Sequence, residues 1–524
     1  MTRDAVVIGG GHNGLVAANY LALAGWRVTV VEQRPSLGGV VGRYEYFPGF
    51  TSSVTNSPGS FEGTVLEELQ LQRYGLRFHK PDVTLLHPMG DSLFVGWRDQ
   101  DEVKRQLDSY ATGEYARQRN LIARLDALGA AAGLSLWRRP ESLGTVLEGI
   151  ESPWRSEFER DIVHGSLREL LDSALESDEA KSLMMMLALN GQLVSPDAAG
   201  SAFGLLLRPI ARASSSIDPM GNGSSPLRGS VGLPQGSMSA IIDALVASAR
   251  AHGVEFKLGS GVRELDTNED GRIVGVRLES GERITGMDAT IAAVEPSRLA
   301  GMLPADWRPE VDRPAPPKGS AFKLALALDR LPEIGNAPQE VPLQTLLEAQ
   351  FRIGPSTDYI TRAVEDGIAG APSQRPIIWG LIPSLSSPGI APEGKHLMSL
   401  NVWHAPHALG ETYWRDNGAA FADQCIAQVE NAFPGLRNCI VDRRWLGPHD
   451  LEAEFGLTAS NITHGDMLPA DMLNSRPGRA FTEALEGSGV VLGGAGAWPG
   501  GYVTGIPGRN SAARVLNMDR EFAR

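Results

Sequence analysis

The chain has 524 residues, of which 42% are hydrophobic and 21% charged. That is an ordinary globular composition, but too long for one core, so two to four domains are expected. Its 48 basic and 62 acidic side chains give a net charge of −14, which argues against a nucleic-acid partner. Two cysteines, Cys425 and Cys439, with no CxxC pair, exclude a redox dithiol and a cysteine-based metal centre and suit a reducing compartment.

The first predicted element is a strand, Ala5-Val6-Val7-Ile8, whose β-branched apolar residues suit burial on both faces. Glycines 9–11 interrupt the apolar run too early for a signal-peptide core, and no window of about 18 apolar residues follows, so a cytoplasmic location is expected. Gly9, Gly11 and Gly14 satisfy G-x-G-x-x-G: a tight turn, a close backbone approach to a pyrophosphate, and a helix seated near the strand. The helix itself runs through Val16, Ala17, Ala18, Leu21 and Ala22 to Gly25. Its N-terminus, near His12 and Asn13, offers amides and a positive dipole end to phosphate. A second strand from Arg27 ends at Glu32, placed to accept hydrogen bonds from a ribose and to repel a 2′-phosphate. Gln33-Arg34-Pro35-Ser36-Leu37-Gly38-Gly39 then supplies a second glycine pair, which an NAD dehydrogenase does not need.

Further along, residues 102–132 and 158–189 carry apolar residues at helical spacing. Within the latter, Met184-Met185-Met186, flanked by Leu183, Leu187 and Leu189, reads first as core. A Pro/Gly/Ser-rich joint spans 213–239 and is followed by an amphipathic helix, 240–252. Short strands are expected at 254–256 and 261–265, with turns at Glu269-Asp270-Gly271 and Glu279-Ser280-Gly281 around an alternating strand carrying Val274, Val276 and Leu278. The run 289–293 ends this group, and a proline-rich joint covers 303–319. Strand-like runs at 322–328, 376–381 and 396–403 mix with a helix at 417–432. The last strand, Val490-Val491-Leu492, meets a glycine-dense turn from Gly493 to Gly501, and a small-residue helix starts at Gly508.

Two separated motifs carry a family resemblance. Gly9 to Leu15 reads G-G-G-H-N-G-L, and Pro499 to Asn510 reads P-G-G-Y-V-T-G-I-P-G-R-N. With Leu37-Gly38-Gly39 after the acid, the chain resembles the two-dinucleotide-binding-domain flavoproteins. Within them it is similar to the phytoene-desaturase-like group, in particular the pyridine nucleotide-disulphide oxidoreductase domain-containing proteins. The resemblance implies FAD and an α/β, Rossmann-like FAD fold with an α+β substrate domain formed by two insertions. The FAD domain would comprise 1–75, 225–300 and 480–524, and the substrate domain 76–224, mostly helical, and 301–479. The residues expected at the cofactor are Gly9, Gly11, His12, Asn13, Gly14, Glu32, Arg34, Gly38, Gly39, Val262, Gly496, Trp498 and Val503. Related flavoproteins often carry an arginine directly after the double glycine; here the first arginine is Arg43, which is left out.

The implied activity is removal of two hydrogens from an apolar organic substrate, by hydride transfer to flavin N5, with oxygen or a quinone as final acceptor. Oxidation of C–N bonds on the same scaffold, and a non-catalytic FAD-binding interaction protein, are the alternatives. The family also allows the methionine-rich helix to line a substrate tunnel or touch a membrane surface, and homo-oligomerisation stays open. No catalytic group is assigned. His404 and His464, with His407 beside the first, are weak candidates for a base, each reading first as a surface or structural residue, and Trp498 and Tyr502 could border the flavin. Neither a metal site nor a hydrolase or phosphotransferase motif is found.

Overall fold

A computed structural model of the chain describes residues 2–56, 61–214, 232–474 and 476–521. Two sheets form its frame. The first is parallel and built from β1 (Asp4–Ile8), β2 (Arg27–Glu32), β3 (Glu255–Leu258), β4 (Ala289–Ala292) and β5 (Val490–Leu492). Their spatial order is β5-β4-β1-β2-β3. At the centre Ala5 pairs with Ala289 on one side and Val28 on the other, so β1 has no free edge. Its run from Ala5 to Ile8 is fully buried, as a strand covered on both faces must be.

Helices α1 (His12–Leu23), α2 (Ser239–Ala251) and α3 (Ile506–Glu521) cover this sheet, and α1 packs against both of the others. Small residues allow it: Ala17 and Ala18 are wholly buried, and a Cβ on Gly508 would lie 2.1 Å from the Asn13 carbonyl oxygen. The two ends of the chain therefore close on each other. β5 sits one strand from β1, and Gly493 N–H donates to Ala292 O at 2.9 Å.

The second sheet has seven strands in the order Ile440–Leu446, Phe322–Leu328, His396–Trp403, Ile377–Leu381, Gln350–Ile353, Val83–Met89 and Ser92–Trp97. All pairs are antiparallel except Gln350–Ile353 with Val83–Met89. The last two strands have no counterpart among the expected elements and precede the helices of the same stretch. Pro88 and the buried His87 interrupt the apolar alternation that would have marked a strand there.

The helical stretches are more broken than their periodicity suggests. Residues 102–132 form two helices, Gln100–Tyr110 and Glu114–Ala131, separated at Gly113 with φ 77°. Ser166 and Ser177 cap new helices at Leu167–Ala174 and Asp178–Leu189, the first through a capping box with Glu169. The helix expected at 417–432 starts earlier, as Glu411–Ala432, directly after Gly410. Most of the joint at 213–239, and the expected boundary at 224/225, fall outside the described residues. Among those residues no helix is long and apolar enough to cross a membrane.

Candidate functional site

The tips of β1 and β2 build a cleft of about 190 Å³. Gly9 turns the chain at φ 100°, and its N–H donates to Val31 O at 2.8 Å. A Cβ on Gly14 would sit 2.0 Å from the Gly9 carbonyl oxygen, so only glycine lets α1 start this close to the strand. A Cβ on Gly11 would meet nothing within 4 Å, because Gly11 faces the open cleft. Glu32 ends β2 as a fixed carboxylate: Gly10 N–H donates to one oxygen at 2.7 Å and Arg34 N–H to the other at 2.9 Å. The second glycine pair folds over the first, with Gly38 N–H donating to Gly10 O at 2.8 Å and a backbone bridge between Gly11 and Gly38.

The inner end of the cleft opens into a chamber of about 110 Å³; His12, Val40, Leu457, His464 and Ala495 line both. Phe322, Lys323, Trp379, Trp403 and Tyr502 complete much of the chamber wall. Lys323 is only 2% exposed, and burial holds its amine pKa well below the usual lysine value. Its Nζ donates to Ser399 Oγ at 2.7 Å and Asn401 Oδ1 at 2.9 Å, and no carboxylate is among these partners. The chemical consequence is a primary amine that gives up its proton more readily than an exposed lysine and can take part in proton transfer. Beyond the chamber lies an outer cavity of about 500 Å³, whose wall shares Asn56, Asn190, Trp379 and Tyr502 with it. Met184, Leu183 and Leu187 line that cavity, while Met185 and Met186 turn into the core.

His464 stands where cleft and chamber meet. It adopts φ 53°, a left-handed conformation uncommon for a residue with a side chain. Asn461 holds the loop there, its Oδ1 accepting from Thr463 N, Thr463 Oγ1 and Gly465 N at 3.0, 3.1 and 3.2 Å. The buried Arg476 braces the same loop by donating to Thr463 O and, at 2.9 Å, to Gly465 O. Burial lowers the Arg476 pKa to about 10, still cationic at neutral pH. Burial first, then the nearby Arg476 charge, lowers His464 to about 3; burial lowers His12 to about 4. Both imidazoles are neutral near pH 7.

Of the thirteen residues expected at the cofactor, Gly9, Gly11, His12, Asn13, Glu32, Gly38, Gly39 and Val262 line the cleft, and Val503 lines the chamber. Gly14 lies beneath the turn. The Arg34 guanidinium sits 4.6 Å over the Phe455 ring, on a shallow groove beside the cleft. Gly496 packs on Pro296, and Trp498 Nε1 donates to Ser135 O at 2.8 Å; neither is among the residues lining cleft or chamber. Arg43 points away, in an exposed pair with Asp243 at 2.9 Å. His464 and Tyr502 are at the site. His404 is not: it is 1% exposed, and its Nδ1 pairs with Ser320 Oγ at 2.7 Å. His407 pairs with Glu452 at 2.7 Å and likewise lines neither.

Sequence reasoning missed Lys323, although a signal existed: Phe-Lys-Leu-Ala-Leu-Ala-Leu is a strand buried at every position with one lysine in it. A cation in such a run needs a reason. Arg298 and Phe455 also line the cleft but carry no local signal, because they reach it from distant parts of the chain.

The fold and cleft define an FAD-dependent oxidoreductase. Residues 14–455 match the family described as flavin containing amine oxidoreductase, and the chain belongs to that family. It is 30% identical to pyridine nucleotide-disulfide oxidoreductase domain-containing protein 2 of Rattus norvegicus, covering 98% of this chain and 93% of that protein. It is 25% identical to the zeta-carotene-forming phytoene desaturase of Myxococcus xanthus, again over 98% and 93%. Among solved structures, an oxidoreductase from Methanosarcina mazei superposes with a TM-score of 0.62 at 17% identity, over 98% of this chain and 100% of the other. A putrescine oxidase bound to putrescine gives 0.58 at 14%, over the full length of both. FAD also fits the cleft on its own terms. Gly11 leaves space against the start of α1, and His12 Nε2, Asn13 Oδ1 and His464 Nδ1 are buried there without a hydrogen bond.

Proposed function

We propose that the protein oxidises a largely apolar organic molecule by two electrons, a carbon of the substrate losing a hydride to flavin N5 and a neighbouring atom losing a proton. The observation that carries this reading is the inner chamber. Its wall carries Phe322, Trp379, Trp403 and aliphatic side chains, it holds one buried amine of lowered pKa, and it joins the glycine-built cleft to a larger cavity. FAD, when bound, supplies the two-electron acceptor, and oxygen or a quinone restores it.

In this reading Gly11, His12 and Asn13 present the start of α1 to the pyrophosphate. Glu32 accepts from a ribose, and the Val262 backbone meets the adenine. Trp379, Trp403 and Tyr502 hold the reacting carbon in a dry space. Lys323 Nζ takes the proton that leaves the substrate, with Ser399 and Asn401 fixing the direction of its lone pair. Two atoms bonded to each other thus lose a hydride and a proton, and a double bond forms between them.

Oxidation of an amine is the second reading, favoured by the family and by two indole rings in the chamber. Those rings stand edge to face, 88° apart with centroids 6.3 Å apart, rather than as two parallel walls. Among the described residues neither the chamber nor the outer cavity is lined by a carboxylate that would receive an ammonium ion. The test is a visible spectrum of the purified protein, then anaerobic bleaching of its flavin against apolar alkenes, alcohols and amines. Bleaching by apolar compounds, lost in Lys323→Met, is the expected result. Bleaching by amines alone would transfer the assignment to the second reading.

A further inference from the structure

The amine that lines the chamber is held by a directed chain of hydrogen bonds. Lys323 and Asn401 stand opposite each other in the register of their antiparallel strands, and Ser399, two residues along, shares that face. Lys323 Nζ therefore reaches both, donating to Ser399 Oγ at 2.7 Å and to Asn401 Oδ1 at 2.9 Å. The next member comes from a distant part of the chain. Asn56 lies 343 residues from Ser399, after the short strand Phe50–Ser52, and is 4% exposed. Its Nδ2 donates to Ser399 O, and its Oδ1 accepts from Ser399 Oγ at 2.9 Å. Gln350 Nε2 steadies its backbone by donating to Asn56 O at 3.3 Å. These contacts leave no choice of direction. The Ser399 carbonyl can only accept, so the Asn56 amide must present its NH2 there and its oxygen to the hydroxyl. That oxygen also only accepts, so it takes the single hydroxyl proton of Ser399. What Ser399 offers Lys323 is then a lone pair.

Resting on the oxidoreductase reading above, we infer that Asn56 is a positioning residue: acting through Ser399, it keeps the Lys323 lone pair open for the proton that leaves the substrate. An unprotonated Lys323 has two N–H bonds, and Ser399 and Asn401 take both. Its lone pair is the one position on nitrogen left over, and Asn56, Lys323 and Asn401 all line the chamber. When the proton arrives it occupies that position, so both existing bonds survive the transfer. Without the Asn56 oxygen, the Ser399 O–H is free to turn and donate to the amine, which closes the lone pair.

The lone pair can be read without turnover, by trace acetylation of the holoenzyme with acetic anhydride and mass spectrometry of the peptide that carries Lys323. The exposed Lys395 serves as the internal reference. Lys323 is expected to be acetylated in the unaltered protein. Asn56→Leu, close in volume but without polar atoms, should slow that acetylation about tenfold. Asn56→Asp, whose protonated carboxyl repeats both contacts to Ser399, should keep most of the rate at neutral pH. In a Ser399→Ala background the leucine change should alter the rate by less than about twofold, because the transmitting hydroxyl is gone. Flavin content and melting temperature show that each variant is folded, and Asn56→Ala replaces the leucine variant should that one lose its flavin. The inference is overturned if Lys323 is not acetylated in the unaltered holoenzyme, or if the folded leucine or alanine variant keeps its full rate. It is equally overturned by an aspartate variant as slow as the leucine one, or by the same tenfold loss in the Ser399→Ala background. The two readings fail separately. Asn56-dependent acetylation without anaerobic bleaching supports this inference and sinks the redox reading, whereas bleaching that needs Lys323 but ignores Asn56 does the reverse.

Discussion

The glycine-built cleft and the inner chamber meet at His464, yet they are built by opposite means. Much of the cleft is made by backbone: glycines 9, 11, 38 and 39 with Gly14 packed beneath them, an interstrand carbonyl, and one carboxylate fixed by two amides. The chamber is made by side chains from His12 to Val503, most of them on strands of the second sheet or on loops. A backbone site tolerates no added atom where it is closest packed, but its polar groups are shared among many bonds. A side-chain site keeps its shape when one group is exchanged, yet can lose its chemistry. The lesson is that damage to the cleft should show as lost cofactor, and damage to the chamber as lost turnover with the cofactor retained.

Four changes test that contrast. The largest effect is expected for Gly14→Val, whose Cβ would lie 2.0 Å from the Gly9 oxygen with more atoms beyond it. Overpacking there should cost about 3 kcal/mol or more and leave the protein without flavin, checked by the ratio of visible to ultraviolet absorbance. Retention of stoichiometric FAD would break the comparison.

Lys323→Met comes next. We expect kcat to fall about 10²- to 10³-fold with flavin content unchanged, measured by anaerobic stopped-flow reduction. A second signature follows from linkage. Burial lowers the Lys323 pKa on folding, so between the folded value and the unfolded value of 10.5 the folded state binds fewer protons. Stability therefore rises with pH through the alkaline range toward that value, and the methionine variant should lose the rise in denaturant unfolding.

His464 gives a smaller effect of the same sign. Its pKa falls from 6.5 to about 3 on folding, so its contribution is complete above 6.5 and is lost as pH drops toward 3. Because the ring borders an open cleft, we expect about 2 kcal/mol rather than the full shift. His464→Gln should flatten the acid limb of the unfolding curve. The smallest change is Arg43→Ala. The exposed pair with Asp243 should be worth less than about 0.5 kcal/mol, with no change in FAD affinity by equilibrium dialysis. A marked loss of FAD would return Arg43 to the cleft.

The parallel sheet was legible because its information is local. A buried strand, a tight glycine turn and a small-residue helix each write their requirements into a few adjacent residues, as at Val6 to Ala18. The same holds for the closing segment after Leu492, where Gly508 must be glycine to pass Asn13. The hairpin Val83–Trp97 was not legible, since Pro88 and the buried His87 hide the alternation of a strand that pairs with Ser92–Trp97 on one side and Gln350–Ile353 on the other. Trp498 shows the same limit from the other side: its place in a glycine-rich motif suggests a cofactor contact, while its indole N–H is satisfied by Ser135 from the helical insertion.

By itself, then, the sequence determined a glycine-lined cleft with its turn, acid and helix start, because steric freedom at glycine and the length of a buried strand are properties of neighbouring residues. Only the tertiary structure decided which buried polar groups face the chamber. His404 and Lys323 look alike in isolation, each one polar residue at the end of, or within, an apolar strand. One is closed off against Ser320 and the other faces the chamber. That choice depends on what packs opposite each strand, and strands paired across distant stretches of chain leave no trace in either stretch alone.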